Sequence, residues 1–303
     1  MSASKKQKLP EAKEYFPGQP AIEYKGSDSI DPMAFKYYNA EEVVAGKKMK
    51  DWLRFAVCWW HTWKGNGADI FGLDGSYERP WSTENTLEGA LERVDVHFEF
   101  CQKLGVELYC FHDRDVAPEG KSIAETNKIL DQVVAKMAAK QKETKVELLW
   151  GTCNLFSHPR YMNGACTNPD PAVVCHAAAA VKKCLEVTKE LGGANFVMWG
   201  GRDGYQTLLN TEYAQRSTNQ PTRINSLPLL TRGTPPAPNP NPNPNPNPKP
   251  KPNPNRYAQE NANYAHFLRA LAAYKKEIGF TGQLLLEPYP LPLPLPSPLT
   301  PNP

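Results

Sequence analysis

Five short apolar segments alternate along the chain with segments of helical periodicity, and this alternation constrains the fold more than any other feature. The predicted strands are 53–60, 106–111, 146–150, 195–199 and 283–287. Strands this apolar must be covered on both faces, as in parallel sheets whose connections are helices. We therefore predict an α/β fold, either a parallel β/α barrel or a doubly wound open sheet. No GxGxxG motif follows the first strand, which argues against a dinucleotide-binding sheet.

The predicted helices have recognisable starts and stops. The first is placed from about Thr83 to Gly105 and carries an apolar stripe at spacings of three and four residues: Leu87, Leu91, Val94, Phe98 and Cys101. The second opens with a capping box at Ser122 and presents Ile129, Val133 and Met137 on one face. Asp170-Pro171 begins the third, which ends at residues 191–193, and a last helix is predicted for 264–278.

Two proline-rich segments interrupt this pattern. The chain has 30 prolines, and most of the excess lies between 214 and 255 and after 290. Alternate prolines remove backbone donors and fix φ, so we predict extended, solvated segments there. The predicted organisation is an N-terminal extension (1–50), the first part of a β/α barrel (51–213), a Pro/Asn-rich disordered insert (214–255), a barrel continuation (256–290) and a Pro-rich disordered tail (291–303).

Composition excludes several classes of protein. A formal net charge of +3 is too small to indicate a nucleic-acid partner. No apolar run approaches the roughly 20 residues of a membrane span, and the N-terminus has no apolar core of a secretory signal. The seven cysteines form no CxxC pair, which indicates reduced thiols in a cytoplasmic protein.

Candidate site residues cluster where predicted strands end. His112 and Asp115 follow the second strand and could transfer protons, and Glu287 at the end of the fifth could bind a hard cation. Four further candidates for a sugar-like pocket lie at the other strand ends: Trp60, Thr152, Phe156 and Trp199. This combination suits a small polar substrate with several hydroxyls.

Each candidate also has a structural reading. A histidine on a strand is usually a hydrogen-bonded structural residue, and only His112 rises above that because Asp115 is near. The other histidines do not: His61, His97, His158, His176 and His266. Trp60, Phe156 and Trp199 are read equally well as core residues. Glu287 alone could cap the next helix.

Ordered motifs at consistent spacing give the chain a resemblance to xylose isomerases of the longer, class II type. The matching stretches include Phe35-Lys36-Tyr37-Tyr38-Asn39, Leu53-Arg54-Phe55-Ala56, Trp60-His61-Thr62, Cys110-Phe111-His112-Asp113-Arg114-Asp115, Leu149-Trp150-Gly151-Thr152, Asn154-Leu155-Phe156, Trp199-Gly200-Gly201-Arg202, Leu208-Leu209-Asn210-Thr211 and Ile278-Gly279-Phe280-Thr281-Gly282. Together they cover nearly all of 15–213 and 256–288.

The resemblance implies a TIM (β/α)8-type barrel, present here incompletely with about five of eight strands. It implies interconversion of D-xylose and D-xylulose by a hydride shift assisted by two divalent cations (Mg, Mn or Co). In the family, the counterpart of His112 assists opening of the sugar ring and is oriented by that of Asp115. The aromatics matching Trp60, Phe156 and Trp199 wall the sugar pocket, and the Glu matching Glu287 binds metal. The family is homo-oligomeric, usually tetrameric through a C-terminal arm that this sequence lacks.

The sequence departs from the family at two places. The family reads Glu-Pro-Lys-Pro where this chain has Tyr289 instead of the lysine that polarises the substrate carbonyl, and tyrosine, with a pKa of about 10, is neutral near pH 7. The last three strands, with the remaining metal ligands, have no counterpart, so we expect that the second metal site does not form and that the chain as written is a truncated, inactive form. Asp203 and Gln206 stand where the family usually has Glu, which we interpret as tolerable drift.

Family similarity resumes in register after the insert. We therefore interpret 214–256 and the tail from about Tyr289 as translated intron or a gene-model error. Two rival functions stay open. One is a non-catalytic truncated barrel whose Pro-rich segments bind aromatic grooves. The other is a different metal-dependent sugar or sugar-phosphate isomerase on the same fold.

Overall fold

Residues 13–68, 75–203 and 256–287 are described by a computed structural model of the chain. The N-terminal region is mostly irregular and contains one antiparallel pair, β1 (Val43–Val44) and β2 (Lys47–Lys48), followed by α1 (Met49–Trp52). The indole Nε1 of Trp52 donates to the carbonyl of Val44 at 2.9 Å, which closes this short hairpin onto α1. The predicted insert (214–255), the predicted tail (291–303) and Tyr289 lie outside the described residues.

Five strands form one parallel sheet whose order follows the chain. They are β3 (Ala56–Cys58), β4 (Leu108–His112), β5 (Glu147–Thr152), β6 (Asn195–Trp199) and β7 (Gln283–Glu287). The strand order shows no reversal among the described strands, whereas a doubly wound sheet requires one. The α/β prediction with a parallel sheet is therefore confirmed.

Helices connect these strands. They are α2 (Trp59–Thr62), α3 (Leu87–Leu104), α4 (Asp113–Val116), α5 (Ile123–Thr144), α6 (Pro171–Glu190) and α7 (Arg256–Glu277), with a 3₁₀ turn at Pro159–Tyr161. Within the described ranges, none of the helices is both long and apolar enough to cross a membrane.

The described residues group into two compact units. The first comprises 13–68, 75–150 and 191–193, and the second comprises 151–190, 194–203 and 256–287. In the first, α3 packs on α5 and buries the predicted stripe residues Val94, Phe98 and Cys101. In the second, α6 packs on β6 and α7 and buries Val174, Ala177, Val181 and Cys184, which recur at helical spacing.

Several element boundaries differ from prediction. The first strand is shorter than 53–60, because Trp59 and Trp60 already belong to the helical turn α2. The first helix starts at Leu87, not near Thr83, with Thr86 as its cap. The last helix starts eight residues earlier than predicted, at Arg256. The strands 195–199 and 283–287 are confirmed at both ends.

Ser122 caps α5 as predicted, since its Oγ accepts a hydrogen bond from Glu125 N at 3.2 Å. The reciprocal bond of the capping box differs: the Glu125 carboxylate accepts from Lys121 N at 2.7 Å. We expect Ser122→Ala to lower the free energy of unfolding by about 1 kcal/mol, because an orphan backbone donor loses its acceptor. Urea unfolding of Ser122→Ala and wild type measures this, and equal midpoints and slopes would contradict it.

Candidate functional site

The parallel pairing of β3 with β4 places the first candidates at one end of the first unit. Residues 56–58 pair with 108–110 in register. The short helices α2 and α4 start directly after β3 and β4 and carry Trp60 and Asp115, while His112 is the last residue of β4. In parallel β/α folds, the groups that act on substrate lie at these carboxyl ends.

His112 and Asp115 form a close pair. The Nδ1 of His112 lies 2.7 Å from the Oδ2 of Asp115, and the same oxygen accepts from the His112 backbone N–H at 3.2 Å. The side chains are 10% and 16% exposed, so the pair is sheltered but reachable. An ionised carboxylate can only accept, so the Nδ1–H of the imidazole donates a hydrogen bond to it. The neutral imidazole therefore keeps Nδ1–H and has Nε2 as its proton acceptor.

Trp60 packs against this pair. Its ring centroid lies 4.5 Å from that of His112, at an interplanar angle of 57°. Trp60 also lies 5.6 Å from the ring of Trp150, at 36°. We did not predict Trp150 as a site residue from the sequence. The available signal was its position two residues before Thr152, on the same side of a strand.

Charged groups surround the pair. The Nε of Arg114 donates to the Oδ2 of Asp113 at 3.1 Å, which compensates the buried Asp113 carboxylate. Lys64 donates to Asn85 Oδ1 at 3.1 Å. Burial lowers the pKa of Lys64, nearby guanidinium groups lower it further, and the Asp115 carboxylate opposes them. Asp115 is thus close enough to a lysine ammonium to interact with it.

The second unit holds the remaining candidates. The rings of Phe156 and Trp199 meet edge to face, with centroids 4.4 Å apart at 69°. Glu287 is the β7 register partner of Trp199 and is exposed. The hydroxyl of Thr152, 1% exposed, donates to the carbonyl of Val197 on β6. That hydroxyl is already committed to β6, so its sugar contact stays a prediction.

The structure therefore brings together two subsets of the predicted residues. Trp60, His112 and Asp115 form one cluster in the first unit. Phe156 and Trp199 form a pair in the second, with Glu287 on the neighbouring strand. The roles of these residues in catalysis, sugar binding and metal binding stay predictions.

The described residues do not fit a resident pair of divalent cations. Within residues 13–68, 75–203 and 256–287, no three or more His, Cys, Asp or Glu side chains are grouped so that they could hold a metal ion. Such cations take about six ligands, waters included. Three carboxylates near the candidate residues already have protein partners: Asp113 with Arg114, Asp115 with His112, and Asp203 with the backbone of 165–167.

Comparison with known proteins identifies a consistent set of relatives. The xylose isomerase of Thermotoga petrophila is 46% identical over 278 residues, covering 91% of this chain and 52% of that protein. The xylose isomerase of Hordeum vulgare is 46% identical and that of Arabidopsis thaliana 43% identical, each over 91% of this chain and 49% of the relative. No family model matches the chain.

The chain spans about half the length of the curated relatives it matches. An identity near 45% over nine-tenths of the chain agrees with the resemblance found in the motifs. The chain is therefore similar in sequence to xylose isomerases over about half of their length.

Proposed function

We propose that this chain carries the sugar-binding and ring-opening part of a xylose isomerase-type aldose–ketose isomerase. The observation that carries the proposal is the His112–Asp115 pair, with nitrogen and oxygen 2.7 Å apart and the Trp60 ring against the imidazole. The strand order along the chain supports the finer assignment of the sheet to part of a (β/α)8 barrel.

The proposed chemistry is proton transfer between two oxygens of an aldopyranose. Nε2 of His112 takes the proton from the anomeric hydroxyl, the bond between C1 and the ring oxygen breaks, and the imidazolium returns the proton to the ring oxygen. The product is the open-chain aldehyde, with no atoms gained or lost. Asp115 holds the imidazole in the required tautomer and stabilises the imidazolium. Trp60 supplies flat apolar surface for a C–H face of the sugar, and the Phe156–Trp199 pair of the second unit is proposed for the same kind of contact.

Oligomerisation is part of the same proposal. Metal binding by Glu287 stays a prediction, because within the described residues Glu287 belongs to no group of side chains that could hold a metal ion. The family generally uses divalent metals and acts on sugars, and Glu287 is the family ligand with a counterpart in the matched residues. We propose a homo-oligomer, which sedimentation velocity measures directly. A cytoplasmic location stays a prediction from the cysteine content, and the described residues hold all seven cysteines as free thiols.

The test uses the purified 303-residue chain in three assays. Calorimetric titration with xylitol measures sugar binding, polarimetry of freshly dissolved α-D-xylopyranose measures ring opening, and a xylulose assay with added Mg²⁺, Mn²⁺ or Co²⁺ measures isomerisation. We expect binding and accelerated mutarotation. We expect no xylulose from this polypeptide alone, because the part of the chain that the structure describes groups no metal ligands with Glu287.

Each outcome separates a different hypothesis. Xylulose formation at enzymatic rates would show that the expectation of an inactive chain is wrong. Absence of both xylitol binding and mutarotation would contradict the proposed function and favour the non-catalytic rival. If the chain accelerates the mutarotation of glucose 6-phosphate as much as that of xylose, the result would favour the sugar-phosphate isomerase as the rival function.

A further inference from the structure

A turn directly after β6 contains a buried carboxylate that the proposed chemistry does not use. The segment 200–203 closes on itself through Asp203 N donating to Gly200 O at 2.9 Å. Asp203 is only 6% exposed, so its carboxylate needs compensating donors. We refer to residues 200–203 as the β6 turn.

The donors come from one segment of the connection between β5 and α6. Oδ1 of Asp203 accepts from Ala165 N, from Thr167 N and from Thr167 Oγ1, each at 2.9 Å. The thiol of Cys166, between them, also hydrogen-bonds to Asp203, and burial raises the pKa of that thiol first of all. Hydrogen bonds to an ionised acceptor are about twice as strong as neutral ones, so this carboxylate is a firm attachment point.

The same β6 turn also holds the other end of that connection. Arg202 Nε donates to the carbonyl of Phe156 at 3.3 Å. Asn154 fixes the local backbone, because its Oδ1 accepts from Phe156 N at 3.2 Å and from Ser157 N at 2.9 Å. The backbone of Phe156 is thus held by a local turn and by the β6 turn together.

Trp199 depends on the β6 turn directly. A Cβ atom built on Gly201 would lie 2.8–2.9 Å from three atoms of the Trp199 indole, closer than real contacts allow. The indole therefore lies over the Gly201 backbone, with the Phe156 ring edge-on to it at 4.4 Å between centroids. Gly200 is closely packed as well, since a Cβ there would be 3.3 Å from the Tyr264 hydroxyl.

We propose that Asp203 is a positioning residue for the sugar-binding wall, holding the β6 turn so that Gly201 supports Trp199 and Arg202 holds Phe156. This inference rests on the proposed function, because it assumes that the aromatic pair contacts the sugar. Asp203 stands apart from the substrate and acts through the turn. Without the Asp203 carboxylate, the hydrogen bonds that join the 165–167 segment to the β6 turn are lost. The aromatic pair then loses its fixed geometry.

The experiment labels the full chain with 5-fluorotryptophan and records ¹⁹F NMR spectra. The chain has seven tryptophans, and Trp199→Phe identifies the resonance of Trp199. We expect Asp203→Ala to shift or broaden that resonance and to weaken xylitol binding roughly tenfold, because small misplacements of contact groups are costly. Asp203→Glu, the residue that resembling sequences usually carry here, is expected to keep both properties close to wild type.

Asp170→Ala is the matched control. The Asp170 carboxylate also accepts a backbone hydrogen bond, from Ala172 N at 2.8 Å, and lies in the same unit. It should leave the Trp199 resonance and xylitol affinity unchanged. A folded Asp203→Ala protein with an unmoved Trp199 resonance would overturn the inference, as would an equal effect of Asp170→Ala.

Two further results would also test the inference. If Asp203→Ala does not fold, Asp203→Asn replaces it: the amide oxygen can still accept, but the charge is lost, so the resonance is expected to move, and an unmoved one would overturn the inference. If wild type does not bind xylitol, the proposed function fails, and the ¹⁹F shift alone still tests whether Asp203 positions Trp199.

Discussion

His112→Asn is expected to reduce the mutarotation of α-D-xylopyranose by the chain to nearly the rate in buffer alone. The imidazole has a ring nitrogen that can both take and return a proton, and the asparagine side chain has no such nitrogen. Positioned general acid–base groups typically contribute about 10²–10⁴-fold, so the loss should be of that size. Polarimetry at a fixed protein concentration measures the rate constant above the buffer background.

Asp115→Asn tests the orienting role separately. The amide can still contact Nδ1, but it offers no negative charge to stabilise an imidazolium, so we expect a rate between those of wild type and His112→Asn. His266→Asn, on α7 and outside both site clusters, is the control for loss of a histidine and should retain the wild-type rate. Undiminished mutarotation by His112→Asn, with xylitol still bound, would show that the pair is structural.

Local sequence patterns predicted the best-defined elements of the fold. β6 and β7 each contain a short apolar run, 196–199 and 284–286, with glycine shortly before it, and both strands match their predicted bounds. Gly105 ends α3 with a φ of 70°, a conformation that glycine adopts without strain, which is why its position as a stop was readable. Such signals depend only on neighbouring residues.

The predicted start of α3 was wrong because contacts with more distant residues determine where this helix begins. Thr83 and Thr86 are both possible caps, but the carbonyls of Ser82 and Glu84 accept from the Arg93 guanidinium at 2.7 and 3.0 Å and are therefore not free to begin a helix. Thr86 is then the first residue whose side chain can cap, and it accepts from Gly89 N at 3.1 Å. A contact across nine or more residues leaves no trace in a local pattern.

The residues of the candidate site also differ in whether local sequence could predict them. The His112–Asp115 pair spans three residues and lies at a strand end, so the sequence alone could indicate it. Trp150 and Asp203 act through residues distant in sequence: Trp150 meets Trp60, and Asp203 binds a segment 36–38 residues earlier. From the sequence, the aspartate was interpreted as tolerable drift from glutamate, because the hydrogen bonds that give it a role exist only in the folded chain.

His97 is expected to make the stability of the chain fall steeply in mild acid. It is fully buried, its Nδ1 accepts from the Trp63 indole at 2.9 Å, and its ring lies 4.2 Å from that of Trp59. Burial lowers the pKa of His97 from its ordinary value of 6.5 to about 3. Below about pH 6.5, His97 binds a proton in the unfolded chain but not in the folded chain. The free energy of unfolding should therefore fall by about 1.4 kcal/mol per pH unit between about 6.5 and 3, with the full contribution present above that window.

The measurement compares urea unfolding of wild type and His97→Asn at pH 7 and pH 4.5. Asparagine can still accept from the Trp63 indole but does not titrate. The contributions of all other acidic and basic groups to the pH dependence are the same in both proteins and cancel in the comparison. The two free energies should approach each other by about 2–3 kcal/mol on acidification. Val96→Ala, a fully buried neighbour on α3 that removes volume without a titrating group, should instead stay parallel to wild type. Parallel curves for wild type and His97→Asn would mean that the imidazole can be protonated inside the fold, because burial then no longer separates its folded and unfolded protonation.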